Sequence, residues 1–242
     1  MSRALKDDYS NLVEFINSYT LKDAYSDGDF DSAIKPMHKG YYAALVIMAE
    51  LEHQGAQPVT PFSKAQKEVQ TKIFWSYLTE SFSELGSSFF LILNGCYKAA
   101  EQVLRSSIEN FVKAHGSLDN EGLHQVKNVY EVFEISGATS FFSKGIGRDT
   151  HIKLNELYVN LCSSVHTGTE QDMQRISALG EFPAIDRARV LTASKKYLKI
   201  VKLYVSSLSV MFSEVFHKMH HKNRDIVTLS LSEKALQALH VK

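Results

Sequence analysis

Proline and glycine are scarce in this chain, at 4 and 12 of 242 residues. So little turn-forming material argues against many short strands and favours a few long helices. There are two cysteines, Cys96 and Cys162, with neither CxxC spacing nor the makings of a disulfide framework. Each sits in a helix-like pattern, which reads as a reduced thiol. No run approaches the ~20 apolar residues that a membrane span needs. The most apolar stretches are broken by Lys195, Lys196, Lys199 and Lys202, or by Glu84, Asn94 and Lys98. The opening MSRALKDDYSN has no signal-peptide core. These absences predict a cytoplasmic protein that makes no membrane contact.

Net charge is also lacking, with 27 basic and 27 acidic residues, but the signs are unevenly spread. Residues 1–60 hold nine acids against five bases, a balance of −4. From Arg187 to Arg224 there are nine bases and one acid, Glu214, a balance of +8. Such a gradient can guide a polyanion to one end of the molecule. It is equally compatible with mutual packing of the two ends, or with a solvated helix face.

What the chain does have is helical periodicity. Residues 3–25 read as an amphipathic helix with Leu12, Phe15, Ile16 and Tyr19 on one side, ended by the acidic SDGDFDS. A second helix is predicted from about Pro36 to His53, proline being favoured in a first helical turn. GAQPVTP is a loop, after which Thr60 and Pro61 supply a cap and a first-turn proline for a third helix. That helix carries Ile73, Phe74, Tyr77, Leu78, Phe82 and Leu85 into FFLIL. Asn94-Gly95 is a junction or a kink, followed by a helix over 97–115 that Gly116 stops. A segment over 121–135 and FFSKG come next, and GIGRD is a loop, with Asp149 as N-cap of a helix over 150–165. The stretch 167–186 lacks a sustained period, QDMQRISAL excepted. A long helix over 187–221 and a short one over 232–240 close the chain. No segment alternates with period two, so the class is all-α: a bundle of long antiparallel helices. The predicted organisation is an N-terminal extension (1–60), a helical core (61–186) and a long basic helix (187–242) packed on that core, together one unit.

Chemistry-bearing residues concentrate in two helices. In YVNLCSSVHTG, Leu154, Leu157, Leu161 and Val165 form the apolar stripe, while Tyr158, Cys162 and His166 lie four apart beside it. An imidazole there suits proton transfer near neutral pH, and it also suits a structural C-cap. In the helix over 97–115, Glu101, Arg105 and Glu109 fall four apart on one line. Arg105 can anchor a phosphate through its planar fork, with Glu109 orienting it. The alternative is an intrahelical ladder of opposite charges. Glu214, His217 and His221 fall at i, i+3 and i+7, with His220 off that line. A single-helix metal site of that kind is weak without a second element, so no metal is expected. The Gly145–Gly147 pair precedes a helix without a preceding strand or a Walker lysine, and reads as a loop.

NGCYKAAEQVLRSSIENFVK and, some 40 residues later, LYVNLCSSVHTG together resemble the helical HEPN-like families of bacterial toxin–antitoxin and antiviral defence systems. The shared features are Gly–x(3–4)–Ala–x(4–5)–Arg–x3–Glu and a later Tyr–x2–Leu–x–Ser–x2–His–Gly-like ending, over about residues 70–170. The resemblance implies a HEPN-like fold, a homodimer, and RNA or a protein of the same defence system as partner. It also implies, for an active member, metal-independent ribonuclease chemistry without a cofactor. His166 matches the family histidine. The family arginine would fall among Val159, Asn160 and Leu161, so Asn160 matches the polar residue beside it and Arg105 is the substitute cation. On this reading His166, Arg105 and Glu109 are catalytic, and Tyr158, Asn160, Ser163, Ser164, Lys195 and Lys196 bind substrate. The alternative is a non-enzymatic sensor, scaffold or inhibitor that keeps the fold with a degenerate site.

Overall fold

Small residues decide how the helices meet. In the computed structural model, which describes residues 3–22, 28–165, 170, 173, 174, 176 and 178–241, the most extensive helix pair is α3 (Lys64–Leu93) with α4 (Tyr97–Ser117). Ser81 and Ser107 face each other there, each hydroxyl donating to the other's backbone carbonyl at 3.0 and 2.9 Å, and Ser88 donates to the Ala100 carbonyl. Side chains this short let the backbones approach, and the hydroxyls find partners without water. The pair is reversed at Gly95, whose φ of +72° only glycine adopts freely. The Ala184 carbonyl lies against that turn where a Cβ would stand.

The other elements are α1 (Arg3–Ser18), α2 (Gly28–His53), α5 (Val129–Gly137), α6 (Gly145–Val165), α7 (Arg187–Met211), α8 (Ser213–Lys218), α9 (His221–Thr228) and α10 (Glu233–Ala238). The chain is all-α, 77% helical, with no strand among the described residues. No described helix is long and apolar enough to cross a membrane. One buried apolar cluster runs from Phe30 to Leu239. Its axis is α7, which buries Tyr197, Ile200, Val201, Tyr204, Val205 and Leu208. Tyr204 stacks on Phe111 with ring centroids 3.9 Å apart, and its hydroxyl meets Ser107 at 3.1 Å. On one side of α7 lies α2, where Gly40 presses on Leu198 and Val201. On another lies α6, pinned by the Ser207 hydroxyl on Thr150. The basic C-terminal helix is therefore the centre of the bundle, and Lys195, Lys199 and Lys202 are its exposed lysines.

Several boundaries differ from the sequence reading, for physical reasons. The described part of α1 ends at Ser18. α2 starts at Gly28 and carries Pro36 inside it. The third helix starts at Lys64, because Thr60 donates instead to the Leu118 carbonyl and ties the loop to α4. Gly116 lies within α4 and lets Leu123 pack on the helix. The 121–135 segment is a 3-10 turn (Leu123–Gln125) followed by α5. GIGRD is the first turn of α6 rather than a loop. Asp149 consequently sits inside that helix and accepts from Lys234. The terminal helix breaks at Phe212, so Glu214 and His217 lie on α8 and His221 on α9. Of QDMQRISAL, the described residues form no α-helix.

Gly147 marks a close approach. A Cβ there would stand 1.9 Å from the Phe141 carbonyl oxygen. Helix propensity favours alanine over glycine by about 1 kcal/mol, yet a backbone overlap of this size outweighs it. Gly147→Ala is expected to lower stability by about 1–3 kcal/mol in denaturant unfolding; an unchanged or raised midpoint would contradict the packing at this turn.

Candidate functional site

The line Glu101, Arg105 and Glu109 faces α6 and α7, so each charge has its neighbours decided by tertiary packing. Glu101 is 9% exposed and accepts from Lys196 of α7 at 2.6 Å. Glu109 accepts from the Tyr158 hydroxyl of α6 at 2.9 Å. Burial, and then the Glu109 carboxylate, push the Tyr158 phenol upward, so it stays a neutral donor. Both carboxylates are thus engaged elsewhere and the Glu101–Arg105–Glu109 ladder does not form.

Arg105 is left without an acid. Its guanidinium carbon lies 5.9 Å from the centre of the Tyr158 ring, and its buried Nε has no hydrogen-bond partner. No ion pair to Arg105 is present among the described residues. A cation over an aromatic face gains about 0.5–2 kcal/mol, and the fork remains available to an anion. Cys162, half-buried, adjoins Tyr158 one turn further along α6. Glu84 of α3, bonded by Asn110 at 2.9 Å, has its carboxyl raised by burial, opposed by hydrogen bonds from Ser106 and Asn110. Glu80 and Glu109 add repulsion there.

The other expected site residues divide. Lys196, also expected to bind substrate, is turned inward and paired with Glu101. Glu109 orients Tyr158 rather than Arg105. Lys195 is exposed, and Lys199 and Lys202 share its flank of α7 at i+4 and i+7. That spacing is visible in the sequence, and the pairing of Lys196 is not. Asn160 is exposed on α6, and the Ser163 hydroxyl turns back onto the Val159 and Asn160 carbonyls. Val159, in the family arginine's window, is half exposed. His166 and the Ser164 side chain lie outside the described residues.

Two other features frame this surface. The connection before α7 is held on the α4 N-terminus, where Gln174 donates to the Gly95 carbonyl and accepts from the Lys98 N–H. Tyr97 donates to the Asp186 carbonyl and accepts from its N–H. The cavity there, about 490 Å³, and a groove of about 690 Å³ between α2 and α3 are both lined by other residues. Lys195, Lys199 and Lys202, exposed along α7, offer a spread of charge suited to a chain of phosphates more than to an enclosed small molecule. Among the described residues no group of three or more His, Cys, Asp or Glu is arranged to hold a metal. Compared with known proteins, the chain matches no family model, no curated protein and no solved structure.

Proposed function

We propose that this chain binds RNA through the α4–α6–α7 surface, as a HEPN-like protein of a bacterial defence or toxin system. The observation that carries the reading is Arg105, a half-buried guanidinium on an aromatic ring with no carboxylate of its own. Lys195, Lys199 and Lys202 extend positive charge along the exposed flank of α7. Phosphate groups suit both features, the first by bidentate hydrogen bonding and the second by counterion release.

If RNA is also cleaved, the 2′-hydroxyl attacks the adjacent phosphorus. The 2′-O–P bond forms, the 5′-O–P bond breaks, and a 2′,3′-cyclic phosphate and a free 5′-hydroxyl result. His166 relays the proton from the attacking to the leaving oxygen, and Arg105 stabilises the phosphorane. The family pairing of two such motifs would make a homodimer the working unit. Val159, an exposed valine in the family arginine's window, favours the second reading: binding without cleavage by a sensor, scaffold or inhibitor.

The test uses end-labelled single-stranded RNA in EDTA. Cleaving activity with cyclic-phosphate ends, lost at least ~100-fold in folded His166→Ala, supports the enzyme. Equal turnover by both proteins removes it. Fluorescence anisotropy at two salt concentrations tests binding. Arg105→Gln and Lys195→Glu/Lys199→Glu are each expected to weaken it about tenfold, with a shallower salt slope. Wild-type affinity in both variants, or no binding at low salt, overturns the reading.

A further inference from the structure

The stretch HKMHHKNR, residues 217–224, spans the break between α8 and α9. His217, Lys218, His220, His221 and Lys222 are exposed there, while Val215, Phe216 and Met219 are buried beneath. The His220 and His221 rings lie side by side, their centroids 4.1 Å apart, and His220 Nδ1 accepts from the Lys222 N–H. Lys218, Lys222 and Arg224 stand against two acids of the same stretch, Glu214 and Asp225, a balance of +1 while the imidazoles are neutral. Lys218 meets Glu214 at 3.6 Å, with both side chains largely in solvent. Two helices pack behind the junction. The last nine residues of α7, LYVSSLSVM, carry no charge. α2 offers Glu50 and His53. Asn223 and Gln54 donate to Glu50 and hold its carboxyl below the usual range, with His53 and His220 nearby adding to the effect. Glu50 therefore stays ionised and offsets a charge on His220, which leaves His217 and His221 to add charge outward.

We infer that the α8–α9 junction is a second contact for single-stranded nucleic acid, held by its lysines and tightened when His217 and His221 gain protons. Imidazoles as a class gain their charge between about pH 8 and 5. Each charge the junction gains displaces a further counterion from a phosphate chain. Exposed imidazole rings also give unstacked bases a face to stack on, which a duplex does not allow. A membrane surface fits less well. Helices that lie on lipid set an apolar face beside their cations, and here Val215, Phe216 and Met219 are buried. The junction also lies apart from the exposed lysines of α7, which rises about 15 Å between Lys202 and the break at Phe212. It shares a ligand class with the Arg105 reading but no residue, so either stands or falls alone.

Fluorescence anisotropy of a labelled oligouridylate with the full chain, at pH 7.5 and 6.0, tests this, while circular dichroism checks that each variant is folded. Wild type is expected to bind at least ~5-fold tighter at pH 6.0. His217→Gln/His221→Gln should remove most of that gain and leave the affinity at pH 7.5 near wild type. Lys218→Glu/Lys222→Glu should weaken binding at least ~5-fold at both pH values. All four positions are exposed, so the core is untouched. A double-glutamine variant that keeps the wild-type pH response overturns the inference, as does a charge-reversed junction that binds like wild type. So does a chain that pellets with vesicles of anionic phospholipid through these lysines and binds no oligouridylate. Binding lost in Arg105→Gln but unchanged in the junction variants refutes this contact alone; the converse refutes only the Arg105 reading.

Discussion

Between pH 6.5 and pH 4 the folded protein is expected to lose about 3 kcal/mol of stability through His115 alone. This imidazole is fully buried on α4, ringed by Phe74 of α3, Phe111 of its own helix, and Phe141 and Phe142 of the turn before α6. Its Nδ1 meets the Phe111 carbonyl at 2.9 Å and its Nε2 has no partner. No acid faces it from these elements, so burial lowers its pKa from 6.5 to about 4, the carbonyl opposing only in part. The folded pKa lies below the unfolded one. As pH falls through 6.5 the unfolded chain takes up the proton first, and stability declines until the folded form also protonates near 4. His151 of α6 contributes in the same direction: burial lowers it, and its Nε2 lies 3.0 Å from both Ser136 and the Phe133 carbonyl. Both rings contact Phe142, so acid loosens the seat of the helix that carries Tyr158. Urea midpoints at pH 7.5, 5.5 and 4.5 check this, comparing wild type with His115→Leu. The variant should show a distinctly flatter dependence in that window; an identical slope would falsify the assignment.

Breaking the Glu101–Lys196 pair is the second large effect. Glu101 and Lys196 side chains are only 12% and 18% exposed, so Lys196→Ala leaves a carboxylate in an apolar seam without its cation. Removing one partner of such a pair costs about 3–5 kcal/mol. Replacing both by apolar side chains of similar size, Glu101→Leu with Lys196→Met, recovers most of that loss. A double-mutant cycle in guanidinium reads the coupling. Single variants that unfold like wild type would place Lys196 back among the solvent-facing lysines. The outcome also separates roles in RNA binding, because Lys196→Ala should weaken RNA only as far as it unfolds the protein, whereas Lys195→Glu/Lys199→Glu weakens it in a fully folded state.

Much of the fold was legible because helix periodicity is a local property. Phe74, Leu78, Phe82 and Leu85, read from spacing as one stripe of the third helix, are all buried on α3. Helix ends were less legible where a tertiary contact took over a local role. Thr60 left its capping position for Leu118, and Asp149 serves Lys234 instead of the α6 N-terminus. Gly116 and Gly147 read as breaks, yet they are the places where a neighbouring segment presses on a helix.

The same division runs through the candidate site. Sequence spacing alone put Glu101, Arg105 and Glu109 on one line, Tyr158 and Cys162 on another, and Lys195, Lys199 and Lys202 on a third. Sequence also determined the all-α class, since scarce turn residues and 3.6-residue periodicity leave no other economical way to bury the apolar side chains. Which charge meets which partner was decided only in three dimensions. Lys196 and Tyr158 are more than 45 residues away from the carboxylates they bind. They reach them because α6 and α7 pack against the same side of α4. In sequence Arg105 reads either as a phosphate anchor or as one rung of a charge ladder, and packing is what engages both neighbouring glutamates elsewhere.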